Sequence, residues 1–171
     1  EMASCIPAIP PMNPDTKKYR FSSSFGYRKD PFTGRSKRHT GVDFAMKPGI
    51  PIYATGDGVV ESVKFELFGY GNQVVINHGF GYKTRYAHLK SVGVGEGMKV
   101  KRGECIGLSG NSGRSSGPHL HYEVLYKDNY VNPANYFDLS ITPEEYATMV
   151  QDIADASERV TLHPSHRKKK K

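Results

Sequence analysis

Short apolar stretches broken by glycine dominate the middle of the sequence, between residues 51 and 132. Their length and their content of β-branched and aromatic residues are typical of strands rather than of helices. Six strands are predicted, over residues 51–54, 59–65, 73–78, 83–88, 105–109 and 119–125. The connection Gly79-Phe80-Gly81 is predicted to be a hairpin loop. The pattern therefore favours a turn-rich, mainly β domain.

The two ends of the chain differ from this middle part. Residues 1–20 combine several prolines with few periodic apolar positions, which is typical of an extended lead-in segment. Residues 21–50 are predicted to be irregular, with turns. Near the other end, Thr142, Pro143 and Glu145 match the start of a capped helix. Apolar residues then recur at helical spacing, so one amphipathic helix is predicted over residues 143–158.

Charge and hydropathy narrow the function classes. The formal net charge is +7, but the five basic residues at 167–171 supply most of it, and a basic end of this kind is predicted to be solvated. The rest of the chain has no basic stripe interleaved with aromatic residues, so nucleic acid is not expected as a partner. No apolar run approaches the roughly 18 residues that a membrane-spanning helix needs.

Two histidines on one predicted strand are the first chemical signal. His119 and His121 flank Leu120, so their side chains share one face at a separation of about 6–7 Å, while Leu120 points into the core. Two imidazoles on one face can serve one metal centre, one as a ligand and the other within reach of what the metal holds. Glu123 comes next on this face and either contacts the rings or lies in solvent.

A second signal is the pair His39 and Asp43, four positions apart. In a straight strand their side chains would lie about 13 Å apart, too far for one ion. A helix would bring them together, but the intervening residues 40–42 disfavour one. A bend at Gly41 would allow the two side chains to converge. The motif therefore predicts a tightly curved backbone between them.

Two histidines and one aspartate form a suitable ligand set for Zn²⁺, with one position left for water. Zinc would lower the pKa of that water toward about 7 and polarise a substrate carbonyl. The remaining histidines, His88 and His119, could serve as general base and as donor to a developing oxyanion. Which of the two has which role is left open by the sequence.

Four motifs, read together, resemble a known family. In chain order they are Phe25-Gly26-Tyr27-Arg28, His39-x-Gly41-x-Asp43, Tyr86-Ala87-His88-Leu89 and Gly117-x-His119-Leu120-His121-x-Glu123. In this combination the sequence resembles the lysostaphin/LytM-like zinc metallopeptidases over residues 21–137. The resemblance implies a compact antiparallel β-sheet domain of the LytM or duplicated-hybrid-motif type, with a groove over the metal.

The resemblance also implies roles for individual residues. By position, His39, Asp43 and His121 match the zinc ligands, and His88 and His119 match the catalytic histidines. The implied activity is hydrolysis of peptide cross-links of bacterial peptidoglycan through a metal-bound water. The family's active-site tyrosine, which precedes the first zinc histidine, has no match in residues 31–38. The alternative is a non-hydrolytic or autoinhibited module that binds peptidoglycan, with its groove blocked by residues 1–20 or by a partner.

Together these observations predict three parts: an extended lead-in at 1–20, the metallopeptidase domain at 21–137, and a C-terminal helix with a basic tail at 138–171. The lead-in also resembles segments that join such domains to a coiled coil and a membrane anchor in some Gram-negative members. We therefore expect a longer, membrane-anchored protein that is extracytoplasmic, in the periplasm or cell envelope. D,D-bridges are the expected substrate, and a regulatory protein is a further expected partner.

Overall fold

The computed structural model describes residues 2–14 and 19–137. These residues form one short α-helix, twelve strands and one 3-10 helix. Their bounds are α1 Met2–Cys5, β1 Tyr19–Ser23, β2 Gly26–Lys29, β3 Ser36–His39, β4 Val42–Met46, β5 Pro51–Tyr53, β6 Gly58–Phe65, β7 Asn72–Gly79, β8 Tyr82–Val92, β9 Lys99–Val100, β10 Cys105–Ser109, β11 His119–Tyr126, β12 Asn129–Val131 and the 3-10 helix Pro133–Tyr136.

Ten of the strands belong to one sheet. Its main path runs β1-β4-β11-β8-β7-β6-β9, with β10 pairing with β5 and β8, and β12 pairing with β11. Strands β2 and β3 form a separate two-stranded sheet. All strand pairs are antiparallel. The prediction of a mainly β fold with an antiparallel sheet is confirmed.

The two faces of the central strand β11 have different chemistry, although both are buried. Leu120, Tyr122 and Val124 are fully buried in the hydrophobic core, as the alternation predicts for Leu120. The residues between them, His121 and Glu123, are also buried. Strand β11 lies between β4 and β8 in the sheet. Its apolar face therefore holds the core together, and its polar face is left for chemistry.

All six predicted strands are present, within a few residues at each end. The hairpin at Gly79-Phe80-Gly81 is also confirmed, because it joins β7 to β8. The prediction that residues 21–50 are irregular is wrong, since they contain most of β1 and all of β2, β3 and β4. Strand β3 reads Ser-Lys-Arg-His and carries no apolar residue. Hydrophobic alternation could not reveal such a strand.

The N-terminal segment differs from an extended linker. It begins with helix α1, and Ile9 and Met12 are fully buried. The amide of Ala8 donates to the carbonyl of Thr55 at 3.1 Å, and Arg102 Nη2 donates to the carbonyl of Ile6 at 3.0 Å. Residues 2–14 are thus packed onto the β domain. The domain boundary near residue 20 stays a prediction.

The predicted helix over residues 143–158 and the basic tail lie outside the described residues. Within the part of the chain that is described, no helix has the length and apolar character that crossing a membrane requires.

His78 belongs to a buried polar network on the side of the core formed by β7 and β8. Its Nδ1–H donates to the carbonyl of Asp57 at 2.8 Å, and its Nε2 lies 2.7 Å from Thr84 Oγ1. The side chain of Thr84 continues the network to the hydroxyl of Tyr86 at 2.9 Å. Burial lowers the pKa of His78 to about 4.

This low pKa predicts how stability depends on pH. The folded protein resists protonation of His78, whereas the unfolded chain takes up the proton near pH 6.5. Stability is therefore retained above pH 6.5 and falls as the pH drops toward 4. The unfolding free energy of the wild type should therefore fall between pH 7 and pH 4.5. In His78→Gln this fall should be smaller by about 2 kcal/mol.

Urea denaturation of both proteins at the two pH values, in the presence of a chelator, measures this difference. The chelator removes the contribution of metal binding from the comparison. An unchanged pH dependence in the His78→Gln variant would contradict the assignment.

Candidate metal centre and active site

The structure brings all five predicted site residues to one groove. His39 ends β3, Asp43 lies in β4, His88 lies in β8, and His119 and His121 lie in β11. All five line a groove with a volume of about 500 Å³. Sheet pairing determines much of this arrangement, because the Cα partners of His121 are Asp43 on one side and Ala87 on the other.

Three of these residues form a compact cluster that could hold a metal ion. Ligand atoms of His39, Asp43 and His121 lie within 4.8 Å of one another, and all three residues are buried. His39 Nε2 is 3.3 Å from Asp43 Oδ1, and His121 Nδ1 is 2.8 Å from the same oxygen.

The predicted bend between His39 and Asp43 is present, but its physical reason differs from the one expected. Gly41 does not have a positive φ angle. A Cβ atom at this position would instead collide with the carbonyl oxygen of Tyr122 and press against the side chain of Glu123. Glycine is needed here because the turn between β3 and β4 lies directly against the backbone of β11.

The hydrogen bonds of the two histidines in the cluster fix which nitrogen faces the centre. His39 Nδ1 is 2.8 Å from the carbonyl oxygen of Ser24. A carbonyl only accepts, so Nδ1 carries the proton and Nε2 presents its lone pair. This Nε2 is buried and has no hydrogen-bond partner among the described residues. A buried nitrogen of this kind, 3.3 Å from a carboxylate oxygen, is suited to binding a cation.

His121 is held in the complementary orientation. Its Nε2 lies 2.9 Å from Glu123 Oε1, so Nε2–H donates to that carboxylate and Nδ1 faces Asp43. A carboxylate on the far nitrogen of a histidine ligand is the usual way to fix its tautomer and ring orientation. Although burial opposes it, contacts with Asp43 and Glu123 raise the pKa of His121 to about 9 when no cation is present. The donor set of two imidazole nitrogens and one carboxylate fits Zn²⁺.

The sequence left open whether Glu123 contacts the histidine rings or lies in solvent, and the structure shows that it contacts the ring of His121. The side chain of Glu123 is fully buried. Besides His121, it accepts hydrogen bonds from Thr40 Oγ1 and from the Tyr70 hydroxyl, both at 2.6 Å. Arg85 Nη1 lies 2.6 Å from its second oxygen. Both carboxylate oxygens are therefore occupied, and burial of the charge is compensated.

His88 and His119 are both oriented by backbone carbonyl groups. Their Nδ1 atoms each lie 2.7 Å from a backbone carbonyl, that of Ser112 for His88 and that of Gly117 for His119. In both rings Nδ1 therefore carries the proton, and Nε2 is left with a free lone pair. The ring centroids are 4.6 Å apart. Burial lowers the pKa of His88 to about 4, so this ring is neutral at neutral pH.

The backbone of His88 is strained. Its φ angle is 60°, in the left-handed region that non-glycine residues rarely adopt. The amide of His88 donates to the carbonyl of Tyr70 at 2.8 Å, which holds this conformation in place. Strain of this kind is common where a side chain must be aimed at a functional centre.

Sequence reasoning missed three residues of the site: Thr40, Tyr70 and Arg85. Tyr70 comes from the loop between β6 and β7 and lines the groove. Its ring lies 5.7 Å from that of His121, and the guanidinium of Arg85 lies over it at 4.4 Å. Burial raises the pKa of its hydroxyl. No motif marked these residues, because only the fold brings them to Glu123.

The groove is not covered by the described part of the lead-in. None of residues 2–14 is among the described residues that line it. These residues pack instead near β5 and the segment around Arg102. Blocking of the groove by residues 1–20, expected in the alternative interpretation, therefore finds no support in residues 2–14.

Comparison with known families and proteins gives a consistent result. The model of peptidase family M23 matches residues 37–133. The chain is 47% identical over 148 residues to the peptidoglycan DD-endopeptidase ShyA of Vibrio cholerae, covering 85% of this chain and 34% of that protein. It is 47% identical over 116 residues to the DD-carboxypeptidase/endopeptidase Mpg of Neisseria meningitidis, covering 68% and 26%. The chain thus spans about a third or less of these relatives.

Solved structures show the same relationship. A zinc-containing peptidase from Vibrio cholerae has a TM-score of 0.66 and 44% identity, over 73% of this chain and 39% of that one. The catalytic domain of lysostaphin from Staphylococcus simulans has a TM-score of 0.63 and 30% identity, over 69% and 91%. A chain of the SpoIIQ–SpoIIIAH pore-forming complex has a TM-score of 0.68 and 25% identity, over 79% and 93%.

The close approach at Gly41 gives a direct test of how the cluster is assembled. We expect Gly41→Ala to weaken zinc binding by tenfold or more, on the order of the effect of removing a residue that supports metal ligands. The added methyl group would push the turn away from β11 and separate His39 from Asp43. Competition with a chromophoric chelator measures the affinity.

Gly95→Ala is the matched control, because a Cβ atom there would have its nearest neighbour at 3.8 Å and the φ angle is not positive. This control should bind zinc as the wild type does. Equal zinc affinity in both variants would show that the close approach does not determine the site.

Proposed function

The chain belongs to peptidase family M23, and from this membership we propose that it is a zinc-dependent endopeptidase that hydrolyses peptide cross-links of bacterial peptidoglycan. Membership agrees with the resemblance to lysostaphin/LytM-like zinc metallopeptidases that the motifs indicated. We propose D,D-bridges as the substrate, because relatives such as ShyA and Mpg are named for this type of bond.

One observation supports this proposal most strongly. A buried cluster of three candidate ligands lies in the same groove as two further histidines whose Nε2 atoms are free. A module that only binds peptidoglycan or serves as a scaffold would not need these two further histidines. The combination of a metal site with two adjacent proton-transfer groups is that of a hydrolase.

His39, Asp43 and His121 are the residues that would hold zinc, through Nε2, a carboxylate oxygen and Nδ1 respectively. When bound, zinc supplies a Lewis acid that activates water and polarises a carbonyl. Glu123 orients one of these ligand residues, because its carboxylate keeps the proton of His121 on Nε2. The backbone carbonyl of Ser24 keeps the proton of His39 on Nδ1, so that its Nε2 is available.

We assign His88 as the proton acceptor. Its Nδ1–H is committed to the carbonyl of Ser112, and burial keeps the ring neutral. Its Nε2 is therefore able to take a proton from the attacking water. His119 is more exposed, with 16% of its side chain accessible. Once protonated on Nε2, it can donate a hydrogen bond to the oxygen that gains negative charge during attack.

The cellular setting follows from the proposed substrate. A peptidoglycan hydrolase acts outside the cytoplasm, and we propose the periplasm or cell envelope as the location. A regulatory protein partner also remains part of the proposal. It is supported by the structural likeness to a chain from the SpoIIQ–SpoIIIAH complex.

Digestion of purified cross-linked peptidoglycan tests the activity and identifies the bond. We expect the zinc-loaded protein to release peptides whose masses correspond to hydrolysis of the D,D-bridge. A chelator should stop the release, and added zinc should restore it. Zinc-loaded protein that releases no peptide would contradict the proposed function.

The roles of the histidines predict different effects of substitution. His88→Ala should lower the rate of peptide release by about 100-fold or more, because it removes the proton acceptor, while one zinc ion per chain stays bound. His39→Ala should lose both zinc and activity. Metal analysis and the digestion assay on the same samples separate the two effects.

His78→Gln serves as the histidine control, because His78 lies outside the groove. It should retain zinc and activity at neutral pH. A fully active His88→Ala variant would contradict the role assigned to His88.

A further inference from the structure

We propose that the groove recognises a free carboxylate of its substrate through the guanidinium group of Arg114, with Arg28 and Lys37 adding positive charge. The favoured substrate is then an anionic peptide with a carboxylate next to the scissile amide. This inference rests on the proposed function and deepens it, because it names the residue that would distinguish one type of cross-link from another.

The groove is predominantly basic. Among the described residues that line it, the cationic side chains are Arg28, Lys37, Arg38 and Arg114, and the carboxylates are Asp30 and Asp43. Asp43 belongs to the candidate metal cluster. A surface with this imbalance favours ligands that carry negative charge.

The other carboxylate, Asp30, is occupied by its own turn. Its Oδ1 accepts hydrogen bonds from the amides of Phe32 at 2.7 Å and Thr33 at 3.0 Å. These bonds hold the pKa of Asp30 below its ordinary value. Its Oδ2 faces Lys37 at 3.8 Å. Asp30 therefore shapes the turn between β2 and β3 and partly offsets the positive charges of Lys37 and Arg114.

Two of the cations are placed against each other by the backbone. Arg28 in β2 and Lys37 in β3 are Cα partners, so their side chains project from the same face of the two-stranded sheet. Like charges directly opposite each other destabilise a strand pair. Each of the two cations already faces a carboxylate, Arg28 that of Asp43 at 3.5 Å and Lys37 that of Asp30 at 3.8 Å, so their contribution to an anionic ligand is positive charge at longer range.

Arg114 is the cation best placed to bind that group directly. It forms no salt bridge with any residue in the described ranges. Its guanidinium lies 4.5 Å from the ring centre of Phe32, and its charge also acts on Asp30. No hydrogen bond from the guanidinium to another described residue is found. A guanidinium whose donors are available to a ligand matches the bidentate geometry of a carboxylate.

Its position in the chain also places Arg114 beside the catalytic groups. It lies in the loop between β10 and β11, between Ser112 and Ser115. The carbonyl of Ser112 holds His88 at 2.7 Å, and Ser115 Oγ lies 3.0 Å from His119 Nδ1. The amide of Arg114 donates to the carbonyl of Gly69 at 2.9 Å, which fixes its backbone. A carboxylate bound by this side chain would therefore lie close to the reacting amide.

The chemistry of cross-links makes this a basis for selectivity. Diaminopimelate has two amino and two carboxyl groups, so acylation of its side-chain amine leaves a free carboxylate on the adjacent carbon. A D-Ala–diaminopimelate bridge therefore carries a negative charge next to the scissile nitrogen. A bridge made of glycine has no such side-chain charge. The basic groove favours the first type of bridge.

A matched pair of peptides tests the inference. The two peptides are identical D-Ala–diaminopimelate cross-links, except that the carboxylate next to the scissile nitrogen is free in one and converted to a carboxamide in the other. We expect the zinc-loaded wild type to prefer the free carboxylate in kcat/KM. Arg114→Gln should reduce this preference by about tenfold, mainly through KM.

Arg35→Gln is the control, because Arg35 lies in the same turn region as Phe32 but does not line the groove. It should keep the wild-type preference. Equal kcat/KM for the two peptides with the wild-type protein would overturn the inference while leaving the proposed function intact. An unchanged preference in Arg114→Gln would overturn the role of Arg114.

Measuring how tightly the two peptides bind distinguishes failure of the inference from failure of the proposed function. The dissociation constants of both peptides are measured with His88→Ala, with and without Arg114→Gln. Tighter binding of the free carboxylate that depends on Arg114 would support recognition, even if neither peptide were cleaved by the wild type. Absence of cleavage would then count against the peptidase activity alone. Equal binding of both peptides would overturn the inference.

Discussion

The site depends on two carboxylates that are buried on opposite sides of one imidazole ring. Asp43 lies 2.8 Å from His121 Nδ1, and Glu123 lies 2.9 Å from its Nε2. Burying a charge is unfavourable unless it is paired and hydrogen-bonded. Glu123 meets this condition through Arg85 and two hydroxyl groups. Among the described residues, the side chain of Asp43 has as partners Arg28 at 3.5 Å and the neighbouring imidazoles. A metal cation between Asp43 and its two histidine neighbours would complete the compensation.

The four histidines around this centre are oriented by the same kind of hydrogen bond. In each ring, the nitrogen that faces away from the centre donates to an oxygen of the protein: a backbone carbonyl for His39, His88 and His119, and the carboxylate of Glu123 for His121. In His39, His88 and His119 the other ring nitrogen is thereby left with a lone pair, whereas in His121 it faces the carboxylate of Asp43. For His39, His88 and His119 the surrounding backbone thus determines which ring nitrogen is available, and for His121 the side chain of Glu123 does so.

Much of the fold and of the site could be predicted from the sequence, for identifiable reasons. The six strands in the middle of the chain can be recognised in the sequence because their apolar residues face a core. His119 and His121 could be paired because a strand places alternate residues on one face. Strand β3 could not be found this way, since all its residues are polar and, within residues 2–14 and 19–137, it pairs with β2 alone.

The contacts around Glu123 could not be predicted either. Thr40, Tyr70 and Arg85 come from distant parts of the chain, and only the packed sheet brings them to this carboxylate. The role of Gly41 was predicted correctly as a bend, but its cause lies in the backbone of β11, which local sequence does not reveal. The site was therefore predictable where its residues follow strand periodicity, and not where tertiary packing supplies the partner.

X-ray absorption at the zinc edge, on protein loaded with one equivalent of zinc, tests the central claim most directly. We expect a first coordination shell with two imidazole nitrogens and one carboxylate oxygen from the protein, and we expect His121→Ala, like His39→Ala, to lose the bound zinc. Zinc held by one or by three or more imidazoles, or a spectrum unchanged in His121→Ala, would contradict the assignment of His39, Asp43 and His121 as the metal centre.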